Sequence, residues 1–255
     1  MFISRTIFKK EIICEFLPPA RKTKRQKVII LCPGAPGAPR RDEVLKLISK
    51  KGFWVFNPRY RGTWESHGKF LKKSPHQDIL DIISELPKGF SDSKTEKKIR
   101  LKPEKIFLIG SSFGGPAAIL ASKDKRVEKV FCFSPVIDWS YPSKEEPLDL
   151  FGKFIRKYFG RAYDFDLKDW KKLKKGNFYN PISETENLDG RKIFIIHAKD
   201  DRVVSYKPTV KFAKLTGARL KLLRRGGHLG TRYLLVKNQA MKDILKFFNS
   251  EQKTF

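Results

Sequence analysis

Four short apolar runs constrain this chain more than any other feature: KVIILC (27–32), KIFLIG (105–110), VEKVFCFSP (127–135) and RKIFIIHAKDD (191–201). They lack the polar alternation of a half-exposed strand, so each reads as a strand buried on both faces. FWVFNPRYRG (53–62) and ARLKLLRRGGH (218–228) read as two more strands. Segments with helical spacing lie between them. RRDEVLKLISKKG (40–52) ends on Gly52, and GPAAILAS (115–122) follows a strand directly. SPHQDILDIISEL (74–86) places Ile79, Ile82, Ile83 and Leu86 on one face behind Ser74 in an N-cap position. TRYLLVKNQAMKDILKFF (231–248) closes the chain as one amphipathic helix.

Strands interleaved with helices predict an α/β fold with a mostly parallel sheet of about eight strands, covered by helices on both faces. Residues 3–17 read as two antiparallel edge strands turning near Lys9 and Lys10. The 255 residues, 40% of them hydrophobic, suit a single domain over 1–255. The alternation stops only over 136–190, an insertion expected to cap the C-terminal ends of the strands, where open α/β sheets bind ligands.

The balance of 55 Lys+Arg over 27 Asp+Glu gives a net charge of +28. Such a surface attracts nucleic acid and anionic membranes non-specifically. The lysines are scattered, however, and no zinc-ligand spacing, helix-turn-helix or RNA-binding aromatic signature accompanies them, so no specific nucleic-acid partner is expected. Between 151 and 179 nine Lys/Arg face three Asp, which motivates an anionic substrate as a hypothesis. The three cysteines, Cys14, Cys32 and Cys132, lie inside apolar strand-like runs without metal-ligand spacing, as buried reduced thiols of a cytoplasmic protein would. Charges break every apolar run of MFISRTIFKKEIICEF, which therefore reads as neither a signal peptide nor a membrane span.

Gly110-Ser111-Ser112-Phe113-Gly114 fits G-x-S-x-G between a strand and a helix. That pattern sets a nucleophilic serine on a sharp turn, with Gly110 and Gly114 allowing close helix–strand packing. The register selects Ser112, since Ser111 lacks a glycine two residues before it. A serine nucleophile needs a general base, and the base needs an orienting carboxylate. Among four histidines, His228 is the best base, because RRGGHLG places it after the last strand between glycines. HAKDDRVVS offers Asp200 and Asp201 past the penultimate strand, two acids that could equally cap a helix. Ser112 precedes Asp201 by 89 residues and Asp201 precedes His228 by 27. The order Ser, Asp, His is that of the α/β-hydrolases.

From residue 27 onward the chain resembles an α/β-hydrolase. HAKDDRVVS is similar to that family's His-Gly-x-x-Asp-x-x-Val-Pro run, and aligning His197 and Val204 selects Asp201 as the acid. Ala198 stands for the glycine and Ser205 for the proline. LCPGAPGAP resembles the family's His-Gly-x-x-Gly loop, with Pro33 in place of the histidine. The resemblance implies that the amides of Ala35 and Phe113 form an oxyanion hole. NPRYRGTWESHGKF (57–70) and FSPVIDW (133–139) look like stretches of the prolyl-oligopeptidase-like (S9) hydrolase domain, here expected as a free domain of carboxylesterase or dienelactone-hydrolase-like type. Asp138 is the runner-up acid, because some hydrolases draw theirs from this earlier strand. The expectation is a cofactor-independent serine hydrolase acting on a small acyl substrate, an ester before a short peptide. The rival from another class is a non-catalytic hydrolase-fold protein that binds anionic surfaces through its charge.

Overall fold

A computed structural model describes all residues except 1, 22, 24, 144 and 251–255. The first two strands, β1 (Ser4–Phe8) and β2 (Ile12–Leu17), form an antiparallel hairpin, with Lys9 and Lys10 at positive φ in its turn. The other long strands are β3 (Lys27–Cys32), β4 (Trp54–Pro58), β7 (Lys105–Ser111), β8 (Val127–Phe133), β9 (Ile193–Ala198) and β10 (Arg219–Leu223). With the hairpin they make one eight-stranded sheet in the order β1-β2-β4-β3-β7-β8-β9-β10. All pairings from β4 to β10 are parallel, and the β1–β2 hairpin closes one edge antiparallel. A separate two-stranded ribbon, β5 (Phe90–Ser91) with β6 (Lys98–Ile99), had no sequence signal, since two residues per strand carry no periodicity.

The apolar runs divide their side chains between two cores. On β7, Ile106 and Leu108 face one side while Phe107 and Ile109 face the other. On β3, Val28 and Ile30 oppose Ile29 and Leu31 in the same way. Helices α2 (His76–Glu85), α3 (Gly114–Ala121) and α6 (Tyr206–Thr216) cover the first face, through Ile79, Ala117 and Phe212 among others. The second face is covered by α1 (Asp42–Lys50), α7 (Tyr233–Val236) and α8 (Asn238–Asn249). Phe248 of α8 stacks on Phe107 with ring centroids 4.3 Å apart. Burying one such ring contributes about 1.5–3 kcal/mol.

Two local expectations are corrected. The C-terminal helix is not continuous: Lys237 adopts an extended conformation (φ −123°, ψ 97°) and separates α7 from α8. Ser74 does not cap α2 with its side chain, because its hydroxyl engages the His76 ring at 2.7 Å instead. The three cysteines are buried and unpaired, and burial pushes their thiols up.

The insertion over 136–190 carries α4 (Leu148–Phe159), α5 (Leu167–Lys171) and short 3₁₀ turns. It is tied to the loop after β4 by backbone hydrogen bonds, Phe70 N–H to Asp164 C=O at 2.8 Å and Asp164 N–H to Gly62 C=O at 2.7 Å. These hydrogen bonds hold that loop and the insertion side by side.

Candidate active site

The sheet delivers the candidate residues to one edge, since Ser112, Asp201 and His228 follow the C-terminal ends of β7, β9 and β10. Ser112 has φ +51°, the strained left-handed conformation expected of a nucleophile at a strand-to-helix turn. Its amide donates to Phe133 C=O at 3.0 Å, and its carbonyl accepts from Gly115 at 3.0 Å and Val136 at 3.1 Å. Both neighbouring glycines are required by close approach. A Cβ on Gly114 would lie 2.0 Å from the Cys32 carbonyl oxygen, and one on Gly110 would lie 2.7 Å from the Gly114 carbonyl oxygen. Ser111 ends β7 as a buried residue.

His228 Nδ1 lies 2.9 Å from Asp201 Oδ2. Asp201 Oδ1 accepts from the amides of Val203 at 3.0 Å and Val204 at 2.9 Å. Burial alone would push the Asp201 carboxyl up. The hydrogen bonds from His197, His228 and the Val204 amide outweigh it and hold the group well below the usual carboxylate range. An ionised carboxylate only accepts, so Nδ1 of His228 carries the proton and leaves Nε2 free as a base.

His197 is a partner that the sequence reading passed over. Fully buried, it directs Nε2 to both Val204 C=O at 3.0 Å and Asp201 Oδ2 at 3.2 Å, two acceptors that require a proton on that nitrogen. Its Nδ1 then accepts from the Thr209 hydroxyl at 3.0 Å. The i, i+4 spacing of His197 and Asp201 around a strand end was the available signal. The acid of the pair is therefore Asp201, whereas Asp200 accepts from the amides of Gly226 and Gly227 at 2.9 Å each. Asp138, the runner-up acid, is not joined to His228: its Oδ1 accepts from the amide and hydroxyl of Ser140, at 2.9 and 2.6 Å. Ser134, at the end of β8, accepts from the Leu229 amide at 3.1 Å and so holds the residue after His228.

Ser112, Ala35 and Phe113 line one cavity of about 650 Å³, together with Val203 and Val204 of the Asp201 loop. Among the described residues, neither the Ala35 nor the Phe113 amide has an acceptor. The loop bearing Ala35 is clamped by side chains that local pattern could not nominate. Tyr60 donates to Pro33 C=O at 3.2 Å, Trp64 to Gly37 C=O at 3.1 Å, and Tyr163 accepts from the Gly37 amide at 3.3 Å. Tyr179 donates to Phe113 C=O at 2.6 Å. No hydrogen bond joins Ser112 to His228 among the described residues; the ring's partner there is Asp201.

The profile of the prolyl oligopeptidase family matches residues 39–253, most of the chain. The chain belongs to the prolyl oligopeptidase family. This member keeps the α/β-hydrolase fold. Comparison with curated protein sequences finds no match. Among solved structures, the Pyrococcus furiosus esterase Pf2001 is similar with a TM-score of 0.67 at 18% identity, over 97% of this chain and 89% of that one. DcsB, solved with its substrate analogue, gives 0.68 at 16% identity over 97% and 98%. The Pyrococcus horikoshii acylaminoacyl peptidase gives 0.66 at 16% identity over all of this chain. The family member described here spans 42% of that peptidase's length. Among the described residues, no helix is long and apolar enough to cross a membrane.

Proposed function

We propose that this chain is a serine hydrolase that cleaves a carboxylic ester through an acyl-enzyme. The observation that carries this reading is the Asp201–His228 hydrogen bond of 2.9 Å, presented at the sheet edge where Ser112 is held at positive φ. Substrate enters the cavity with its carbonyl over Ser112. His228 Nε2 takes the Ser112 proton as Oγ attacks, and Asp201 holds the imidazole in the tautomer that can do so. The amides of Ala35 and Phe113 receive the oxyanion, each such donor supplying about 3 kcal/mol of transition-state stabilisation. His228 then protonates the leaving group, and water repeats the cycle to release the acid.

Esters are preferred to peptides because an ester carbonyl is less resonance-stabilised than an amide carbonyl, and an alkoxide leaves more readily than an amide anion. A fluorophosphonate label and a substrate panel test both parts. Wild type should be labelled at Ser112 and should hydrolyse p-nitrophenyl esters faster than aminoacyl amides, and Ser112→Ala should lose both activities. Well-folded wild type that takes no label would remove the catalytic reading in favour of the binding-protein alternative.

A further inference from the structure

The cavity beside Ser112 is lined by four charged side chains, Asp138, Glu146, Asp149 and Lys174. Three of them are already satisfied. Asp149 and Lys174 form an ion pair, and Asp138 accepts twice from Ser140. Half-buried Glu146 is different: among the described residues its carboxylate has neither a hydrogen-bond nor an ion-pair partner. Its backbone is nevertheless fixed beside the catalytic machinery. The Glu146 amide donates to Ser143 Oγ at 3.0 Å, and the Ser143 hydroxyl donates to Val203 C=O at 3.0 Å, on the loop that carries Asp201.

We propose that Glu146 is a subsite for a cationic group of the substrate, an ammonium or guanidinium carried near the scissile acyl bond. This rests on the hydrolase reading above and names its substrate class. An unpartnered carboxylate in a concave, mostly apolar cavity gains most from an opposite charge delivered with the ligand. Trp139, Tyr141 and Phe151 line the same cavity, and aromatic rings favour cations at close range. Burial pushes the Glu146 carboxyl up, with Asp201 adding to the rise and His228 opposing it.

The sign is opposite to the one that the basic insertion suggested. Among the described residues, the insertion's only cation on the cavity wall is Lys174, and it is paired with Asp149, so an anionic substrate finds no free cation among them. The distant surface charge of +28 does not cancel the effect of Glu146, because exposed charges beyond about 8 Å are screened at physiological salt.

Three p-nitrophenyl esters of matched length test the inference: 6-aminohexanoate, its N-acetyl form and the adipate half-ester. Wild type should favour the cationic over the neutral ester by about five- to tenfold in kcat/KM, with the anionic ester slowest. Glu146→Gln should bring the cation-to-neutral ratio close to one. Glu145→Gln should keep the ratio, since Glu145 pairs with Arg202 at 2.9 Å instead of lining the cavity. A wild-type ratio of one, or a ratio that survives Glu146→Gln, overturns the subsite. In either case, turnover of the neutral ester that disappears in Ser112→Ala would leave the hydrolase reading standing. Binding of hexylammonium against 1-hexanol, followed by ligand-observed NMR on the Ser112→Ala protein, needs no turnover. Preference for the ammonium should vanish when Glu146→Gln is added, and an unchanged preference overturns the subsite even if no ester is cleaved.

Discussion

Asp200 and Asp201, adjacent in sequence, hold two different parts of the same loop. Asp201 reaches the His228 ring at 2.9 Å, while Asp200 receives the Gly226 and Gly227 amides at 2.9 Å just before it. One acid sets the tautomer of the imidazole and the other fixes the backbone that carries it. Their substitutions should therefore separate. Asp201→Asn should lower kcat by about 10⁴, as loss of the correct tautomer does in serine hydrolases. Asp200→Asn should cost about tenfold, since one misplaced backbone turn reduces alignment without removing a chemical group. Steady-state kinetics on an activated ester would compare them, and equal losses would refute the division of roles.

The depressed Asp201 carboxyl has a consequence for pH-dependent stability. Its folded-state pKa lies below the unfolded value of about 3.9. The stability that it contributes is thus fully present above about pH 4 and is lost as pH falls through the folded value. Urea midpoints of wild type and Asp201→Asn should differ most at pH 6, and the difference should begin to shrink only as pH falls below about 4. A difference that grows on acidification would contradict the sign.

The Tyr60 hydroxyl holds the loop of Ala35 through Pro33 C=O. Tyr60→Phe keeps the ring packed on Phe113, with centroids 5.9 Å apart, and removes only the hydrogen bond. We expect kcat to fall by about tenfold with KM little changed, because the oxyanion is bound only in the transition state. A rise in KM at constant kcat would place Tyr60 in ground-state binding instead.

Lys129 is 1% exposed, and its Nζ donates to Phe247 C=O at 2.8 Å and Ser250 Oγ at 2.9 Å, at the C-terminus of α8. Cations there satisfy terminal carbonyls and complement the helix dipole. Lys129→Met should destabilise the protein by about 1–3 kcal/mol in denaturant titrations, with faster amide exchange confined to α8. Unchanged exchange in α8 would show that the contact is not what docks it.

The strands and helices were legible because a residue's burial on one face of a strand or helix follows from spacing along the chain. Val28 and Ile29 had to face opposite cores once KVIILC was a strand. G-x-S-x-G was legible for a related reason: the strain at Ser112 and the close approach at Gly114 are local, so only certain residues can occupy those positions. The helix break at Lys237 was not legible, because the periodicity of 231–248 continues through this exposed residue and no Gly or Pro marks the break.

The sequence by itself determined the strand order of the chemistry, the nucleophile turn and the candidates for acid and base, since these depend on residue type and order. Only the tertiary structure decided which of two neighbouring acids meets His228, that His197 supports that acid, and that Tyr60, Trp64 and Tyr163 clamp the loop of Ala35. It also left Glu146, among the described charged residues of the cavity wall, without a side-chain partner. Those outcomes depend on distances between residues far apart in the chain, which the parallel sheet fixes by bringing the ends of β7, β9 and β10 to one edge.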